Sequence, residues 1–351
     1  MAIPKNKPTL IIPAAGKSSR FPGMRPKWLL THPHGKLMIE EVLSSFDYDA
    51  FSRVIIIVLR EHCAKFQADL IINQAFGNKI EICILEKPTS SSPETVVKCV
   101  EKLEITGPII VKDSDCLVDF ELPETTDFVV GADVHELKIS NLTSKSFILK
   151  DDDNIVQSIV EKKVISSTVC LGVYGIESSV LLEIFHHFRS QHINTELYFS
   201  HIISHLISNG TVVLSVDASR YFDWGTAEEW NKYAQSLRTY ILDIDGVFLK
   251  NTGKYGSKNW GNTCEPIEEN MEVLAKLSQE NAEIVFLTSR TEEFLTKFRE
   301  LLDERGIKFK GIISGCNHNR RILVNDFAPS NPYPSCEAIN IPRNSNLGDY
   351  L

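Results

Sequence analysis

The chain has no paired-cysteine motif. Its eight cysteines, Cys63, Cys83, Cys99, Cys116, Cys170, Cys264, Cys316 and Cys336, are scattered, with no CxxC and no Cys/His knuckle spacing. That removes the sequence signal for a zinc knuckle or a thioredoxin-type redox pair. Most of them fall inside apolar runs, where a thiol packs as a small hydrophobe, so reduced core cysteines in a cytoplasmic protein are expected. Long apolar runs are also missing. The longest aliphatic stretch, Val54–Leu59, is far below the roughly 20 residues that span a bilayer. The first residues, Met-Ala-Ile-Pro-Lys-Asn-Lys, lack the apolar stretch of a signal peptide. A basic excess is absent too: 37 Lys and Arg stand against 46 Asp and Glu, a formal net charge of −9. Nucleic acid and anionic membrane are disfavoured as partners, because both need a basic surface. What is present is an ordinary globular mix, 43% hydrophobic and 24% charged over 351 residues, with neither repeats nor low-complexity tracts. At roughly 150 residues per domain, that length suggests two or three domains.

Short apolar runs alternate with helical patterns in the first part of the chain. Thr9–Pro13, Arg53–Leu59, Ile80–Leu85, Pro108–Lys112, Phe128–Ala132 and Thr211–Val216 read as strands, and Leu37–Phe46, Glu94–Leu103 and Ser179–His187 as helices. The alternation predicts an α/β domain with a mainly parallel sheet. A charged helical stretch, Thr226–Arg238, ends this series. A second series follows: strand Tyr240–Asp245, helix Glu268–Gln279, strand Glu283–Thr288, helix Glu292–Arg305 and strand Arg321–Asp326. Two domains are therefore expected, 1–236 and 237–351. The prolines between Pro329 and Pro342 predict a largely extended tail.

Three places combine charge with strand ends. Ile11-Ile12-Pro13-Ala14-Ala15-Gly16-Lys17-Ser18-Ser19-Arg20 leads from an apolar strand into small residues, with Lys17, Arg20 and the later Lys27 as cations. Small side chains let backbone N–H groups approach a polyphosphate; a tight turn with solvated cations is the plainer alternative. Ile109-Ile110-Val111-Lys112-Asp113-Ser114-Asp115 ends in two carboxylates at i, i+2, which puts both on one side of the strand end and suits a Mg²⁺ ion. Tyr240-Ile241-Leu242-Asp243-Ile244-Asp245-Gly246 repeats the pattern. There the first carboxylate can attack a phosphoryl group and the second can act as general acid/base.

The first loop, with Arg20 and Pro26-Lys27, resembles the signature of nucleotidyltransferases of the nucleotide-diphospho-sugar transferase fold, although Ser18 or Ser19 stands where that pattern has a second glycine. Glu86–Thr95 resembles its base-reading loop, Asp113-Ser114-Asp115 its metal-binding Asp-x-Asp, and Tyr221-Phe222-Asp223-Trp224-Gly225-Thr226 its closing aspartate element. The resemblance implies a mixed GT-A-like sheet and Mg²⁺ held by Asp115 and Asp223. It implies catalytic cations at Arg20 and Lys27, and nucleotide contacts from Ala14, Ala15, Gly16, Lys17, Ser18, Ser19, Thr89, Thr95 and Ser114. Lys162 would meet the acceptor phosphate, and Glu196 a hydroxyl or amine of the acceptor. The loop variant Gly-Lys-Ser-Ser-Arg also resembles molybdopterin guanylyltransferases, so it does not fix the substrate.

The second series resembles a small Rossmann-like haloacid dehalogenase-like phosphatase. Asp243 and Asp245 form its first motif, Ile284–Arg290 its second with Thr288 and Ser289 on phosphate, and Arg321–Asp326 its acidic strand end with Asp326 on Mg²⁺. Asp243 and Asp245 carry catalytic and metal-binding roles there. The lysine of its third motif is missing; Lys308, Lys310, Arg320 and Arg321 are candidates, with Arg320 favoured. Together the resemblances imply a bifunctional enzyme with Mg²⁺ at both sites. It would transfer a nucleotidyl group from a nucleoside triphosphate to a sugar phosphate, in capsule or surface-polysaccharide assembly. Alternatives are a cytidylyltransferase for a non-sugar phosphate or phosphonate, and a second domain kept only for binding or dimerisation. A homo-oligomer is left open.

Overall fold

The computed structural model describes residues 7–16, 21, 24–137, 139, 141–191, 196–251, 260, 264–280, 282–325 and 336–351. Along the chain lie β1 (Thr9–Pro13), α1 (Met38–Val42), β2 (Arg53–Leu59), α2 (Arg60–Phe66), α3 (Ala68–Phe76), β3 (Glu81–Leu85), α4 (Ser92–Lys102), β4 (Pro108–Lys112), β5 (Cys116–Phe120), β6 (Phe128–Asp133), β7 (Ser146–Lys150), β8 (Val156–Glu161) and β9 (Thr168–Glu177). They continue with α5 (Ser178–Ser190), α6 (Phe199–Ser208), β10 (Leu214–Asp223), α7 (Ala227–Ser236), β11 (Thr239–Leu242), α8 (Glu268–Gln279), β12 (Glu283–Leu287), α9 (Thr296–Glu304) and β13 (Gly311–Ile313). The chain divides into two compact units, Met1–Glu229 and Trp230–Leu351, the division falling inside α7.

The first unit is built on a ten-stranded sheet in the order β3-β2-β1-β4-β9-β6-β10-β5, with β7 beside β9 and β8 beside β7. The Arg-Val-Ile-Ile-Ile-Val-Leu run of β2 is buried at six of its seven positions and lies between the parallel neighbours β1 and β3. Such a run suits a strand covered on both faces. Val96, Val97 and Val100 of α4, Leu181 and Phe185 of α5, and Ile202 and Ile203 of α6 close over Ile57, Val111 and Tyr174 in one core. Helix α4 starts where the Ser91 hydroxyl accepts the Glu94 N–H at 3.3 Å, with Pro93 in the first turn, where a missing N–H costs nothing.

The sheet is mixed, not mainly parallel as the alternation alone suggested. Strand β9 runs antiparallel to both β4 and β6 and is buried at all but its two ends. Its glycines interrupt the apolar pattern for packing reasons: a Cβ at Gly175 would overlap the Phe128 ring. The parallel strands β1 and β4 are neighbours, so the loop after β1 and the carboxylates after β4 leave the same end of the sheet. The order 3-2-1-4 puts these two strand ends where the winding of the sheet reverses, the usual place for a ligand crevice in α/β proteins.

The second unit has a parallel sheet in the order β11-β12-β13. Ile244, Phe248, Met271, Leu274, Phe286, Phe298 and Leu302 form its core. Asn270 is fully buried yet satisfied: its amide donates to Val247 O at 2.6 Å and Ser345 O at 2.9 Å, and its oxygen accepts Leu347 N–H at 2.7 Å. One polar side chain thereby pins the C-terminal segment to α8.

The expected strand Arg321–Asp326 is not formed. Residues 321–325 have no regular structure, Ile322 and Val324 are 80% and 87% exposed, and Asp326 lies outside the described residues. An apolar run becomes a strand only where an edge pairs with it, and no such pairing exists among the described residues. Of the proline-rich tail, residues 336–342 contain neither helix nor strand; its earlier prolines lie outside the described residues. Among the described residues no helix is long and apolar enough to cross a membrane.

Candidate active site

A cleft of about 710 Å³ opens at the ends of β1 and β4 in the first unit. It gathers most of the residues singled out in the sequence: Ala14, Ala15, Gly16, Lys27, Thr89, Thr95, Ser114, Asp115, Lys162, Glu196 and Asp223 all line it. Lys17, Ser18, Ser19 and Arg20 lie outside the described residues.

Carboxylates and ammonium groups alternate across the floor. Lys27 forms an ion pair with Asp115. Asp223, at the end of β10, pairs in register with Cys116 of β5, next to Asp115, and the Trp224 N–H donates to Asp115 O at 2.9 Å. Pairing of strands about a hundred residues apart thus brings both carboxylates together. Lys145 forms an ion pair with Asp223 and donates to the Tyr221 hydroxyl at 2.5 Å. The other Asp223 oxygen accepts the Gly225 N–H at 2.8 Å. Beneath them Lys112, fully buried, donates to Asp113 O and Cys116 O at 2.8 Å each.

These neighbours set the ionisation of the floor. Burial and the adjacent Asp115 push the Asp113 carboxyl up to about 6. Against the cost of burial, Lys27 holds Asp115 down to about 2. Burial also works against the charge of Lys145, but Asp223 keeps its ammonium protonated above the usual lysine range. Burial pushes the Tyr221 phenol well above its ordinary value. Three carboxylates (Asp113, Asp115, Asp223) face three ammonium groups (Lys27, Lys112, Lys145), so the floor is near neutral in itself.

Hard anionic oxygens from two adjoining strand ends are the donor set that Mg²⁺ takes alongside substrate phosphates. The ammonium partner on each of Asp115 and Asp223 marks both as cation-holding positions. The residues fit the ion.

At the other end of the cleft the side chains form a relay. Lys162 donates to the Tyr198 hydroxyl at 2.7 Å, which donates to Glu196 at 2.5 Å. Lys162 has a left-handed backbone, φ 54°, uncommon for a residue with a side chain. Glu161 is held by the hydroxyls of Ser146 and Ser200. Where the loop before α4 meets that helix, the Thr89 and Thr95 hydroxyls bond each other at 2.5 Å. Arg189 of α5 clamps the loop from outside, donating to Ser90 Oγ at 2.6 Å and Glu94 at 3.0 Å.

Sequence reasoning missed Lys145, which lies 78 positions from Asp223 in no recognisable spacing. Tyr221 was detectable: it stands at i−2 from Asp223 on one strand, hence on the same face. At Gly172 a Cβ would overlap the Asp113 carboxylate.

In the second unit, β11 and β12 pair in register up to Leu242 and Phe286, so Asp243 and Thr288 follow neighbouring strand ends. The guanidinium on Asp243 is that of Arg321, at 3.1 Å, one residue beyond the expected Arg320, which is exposed. Arg290 is fully buried and grips both oxygens of Asp245, at 2.6 to 3.1 Å. Its remaining arm donates to Trp260 O at 3.1 Å. A carboxylate committed to a buried two-armed guanidinium is a poor metal donor, because releasing it strands a buried charge. The residues described here do not fit the Mg²⁺ expected on Asp243 and Asp245. Thr288 is buried and its hydroxyl accepts the Arg290 N–H at 3.1 Å; Ser289 adjoins it.

No protein-family model matches the chain, and no curated protein matches it. Solved structures do. The nucleoside-diphosphate-sugar pyrophosphorylase from Vibrio cholerae RC9 is 22% identical, with 64% of this chain and 99% of that one covered and a TM-score of 0.55. The inositol-1-phosphate CTP transferase from T. maritima is 14% identical, with 63% and 90% covered and a TM-score of 0.52. A UDP-glucose pyrophosphorylase complexed with UDP-glucose is 13% identical, with 65% and 97% covered and a TM-score of 0.50. Over about two thirds of its length the chain therefore has the mixed α/β fold found in these nucleotidyltransferases.

Proposed function

We propose that the first unit is a nucleotidyltransferase. It would move a nucleotidyl group from a nucleoside triphosphate to the phosphate of a sugar or related alcohol, releasing pyrophosphate. The observation that carries this reading is the charge-balanced floor, with Asp115 and Asp223 brought side by side and lysines around them. The names of the structural neighbours support the same class.

In this reading an acceptor phosphate oxygen attacks the α-phosphorus in line and pyrophosphate leaves. Mg²⁺ held by Asp115 and Asp223 would supply charge neutralisation on the phosphates. Lys27, freed from Asp115, turns to the leaving phosphates, and the small residues Ala14, Ala15 and Gly16 admit the chain of phosphates to backbone N–H groups. Lys162 receives the acceptor phosphate, its ammonium aimed by Tyr198, while Glu196 and Glu161 accept hydroxyls of the acceptor. Catalysis is positioning plus electrostatics. Arg20 keeps its proposed place on the leaving group.

For the second unit we propose phosphoryl-group hydrolysis: the Asp243 carboxylate attacks phosphorus as the alcohol oxygen leaves and takes a proton from water, and a second water cleaves the aspartyl phosphate to inorganic phosphate; Thr288 holds a phosphate oxygen and Arg321 supplies the cation. No step is assigned to a metal there. The setting would be surface-polysaccharide assembly in the cytoplasm.

The test is incubation with Mg²⁺, each nucleoside triphosphate and a panel of sugar and alcohol phosphates, reading pyrophosphate and inorganic phosphate separately. Asp115→Asn is expected to abolish pyrophosphate release and spare phosphate release, and Asp243→Asn to do the reverse. Consumption of no triphosphate with any acceptor refutes the first assignment; phosphate release unaffected by Asp243→Asn refutes the second.

A further inference from the structure

Lys145 is built into the floor of the cleft. Its backbone N–H donates to Leu142 O at 3.2 Å, and its carbonyl accepts the Lys162 N–H at 3.0 Å, so both main-chain groups are fixed. Its side chain is only 13% exposed. The ammonium meets Asp223 and the Tyr221 hydroxyl and lies 5.1 Å from the centre of the Tyr221 ring. A mobile surface lysine has none of these restraints. Asp223 therefore has a resident cation on the oxygen not taken by Gly225.

We propose that Lys145 is a counter-ion that competes with the divalent cation for Asp223. Because Asp115 and Asp223 each already carry an ammonium partner, a bare divalent cation gains little there: it must break one of those ion pairs to bind. A metal–triphosphate complex changes the balance. It brings its own negative charge, so the displaced Lys145 exchanges Asp223 for a phosphate oxygen at no net loss of ion pairing. Lys145 thus makes the site weak for metal alone and strong for metal with polyphosphate, coupling the two ligands. This is reciprocal by linkage.

The inference rests on the assignment of Asp115 and Asp223 as metal-holding residues, and the experiment separates the two. Mn²⁺ binding is measured by electron paramagnetic resonance, alone and with inorganic triphosphate, on the full chain. Wild type should bind Mn²⁺ alone weakly and much more tightly with triphosphate. Lys145→Gln and Lys145→Met should bind Mn²⁺ alone about tenfold tighter, the scale of one partly buried ion pair, and lose most of the gain from triphosphate. Lys145→Arg, which keeps the charge, should stay close to wild type. Circular dichroism identifies which variants fold, and either neutral variant suffices. If Asp223→Asn weakens Mn²⁺ binding while the folded neutral variants bind Mn²⁺ alone no tighter than wild type, the counter-ion role is overturned and the metal assignment stands. If Asp115→Asn and Asp223→Asn both leave Mn²⁺ binding unchanged, the metal assignment itself fails.

Discussion

Gly172 and Asp113 share one space: the carboxylate of Asp113 occupies the volume a side chain at position 172 would need. The glycine has φ +72°, and its carbonyl accepts the Asp113 N–H at 2.8 Å. Gly172→Ala should cost about 1–2 kcal/mol from the left-handed backbone alone and more from displacing Asp113. Urea unfolding should register the loss, and pyrophosphate release should fall at least about tenfold as the floor shifts. An alanine variant with wild-type stability and turnover would show that this contact does not set Asp113.

The same carboxyl gives a pH signature. Its pKa is raised from 3.8 to about 6 in the folded protein, by burial first and then by Asp115. The native state therefore holds a proton that the unfolded chain releases between about pH 4 and 6, and stability falls as pH rises through that window. Asp113→Asn should remove this component. At pH 7.5 its melting temperature should exceed wild type by about 2–4 °C, and the advantage should vanish by pH 4. Asp115 has the opposite sign: held down to about 2 by Lys27 against the cost of burial, it contributes stability above its unfolded pKa that is lost as pH falls toward 2.

Arg189 touches the loop before α4 from outside the cleft. Removing it takes one partner from each of Ser90 and Glu94, which stay bonded to each other, and leaves the floor untouched. Arg189→Ala should raise KM for the triphosphate by about tenfold, the worth of one charge-assisted hydrogen bond, with kcat within about twofold of wild type. A kcat loss with unchanged KM would place the effect elsewhere.

The fully buried Arg290 is ion-paired to the half-buried Asp245 in the second unit. Arg290→Met leaves Asp245 unpaired and should destabilise this unit by about 3–5 kcal/mol. The double variant Arg290→Met/Asp245→Leu should recover much of that, because removing both charges removes the unpaired one. Denaturant unfolding of the full chain reads both. Equal stability of the single variant and wild type would show that the pair is not what holds the loop after β12.

The strand ends that carry chemistry were legible because a short apolar run followed by carboxylates or small residues is a local pattern. β1, β2 and β4 fall where that pattern puts them, and Lys27, Asp115, Asp223, Lys162 and Glu196 all reach one cleft. Strand β9 was not legible as a central strand, since Gly172 and Gly175 dilute its pattern for contacts visible only in three dimensions. The segment Arg321–Asn325 failed the other way: its pattern is strand-like, but strand formation depends on a pairing edge that residue order does not encode.

The sequence by itself determined the α/β class, the acidic balance that disfavours nucleic acid, and the residue types able to handle phosphates and a divalent cation. Only the tertiary structure decided which charges meet. Insertion of β9 between β4 and β6, and pairing of β10 with β5, set Asp223 beside Asp115. The folded chain likewise put Lys145 on Asp223 and Arg290 on Asp245. Ion pairing depends on distance and burial, and neither is a property of spacing along the chain.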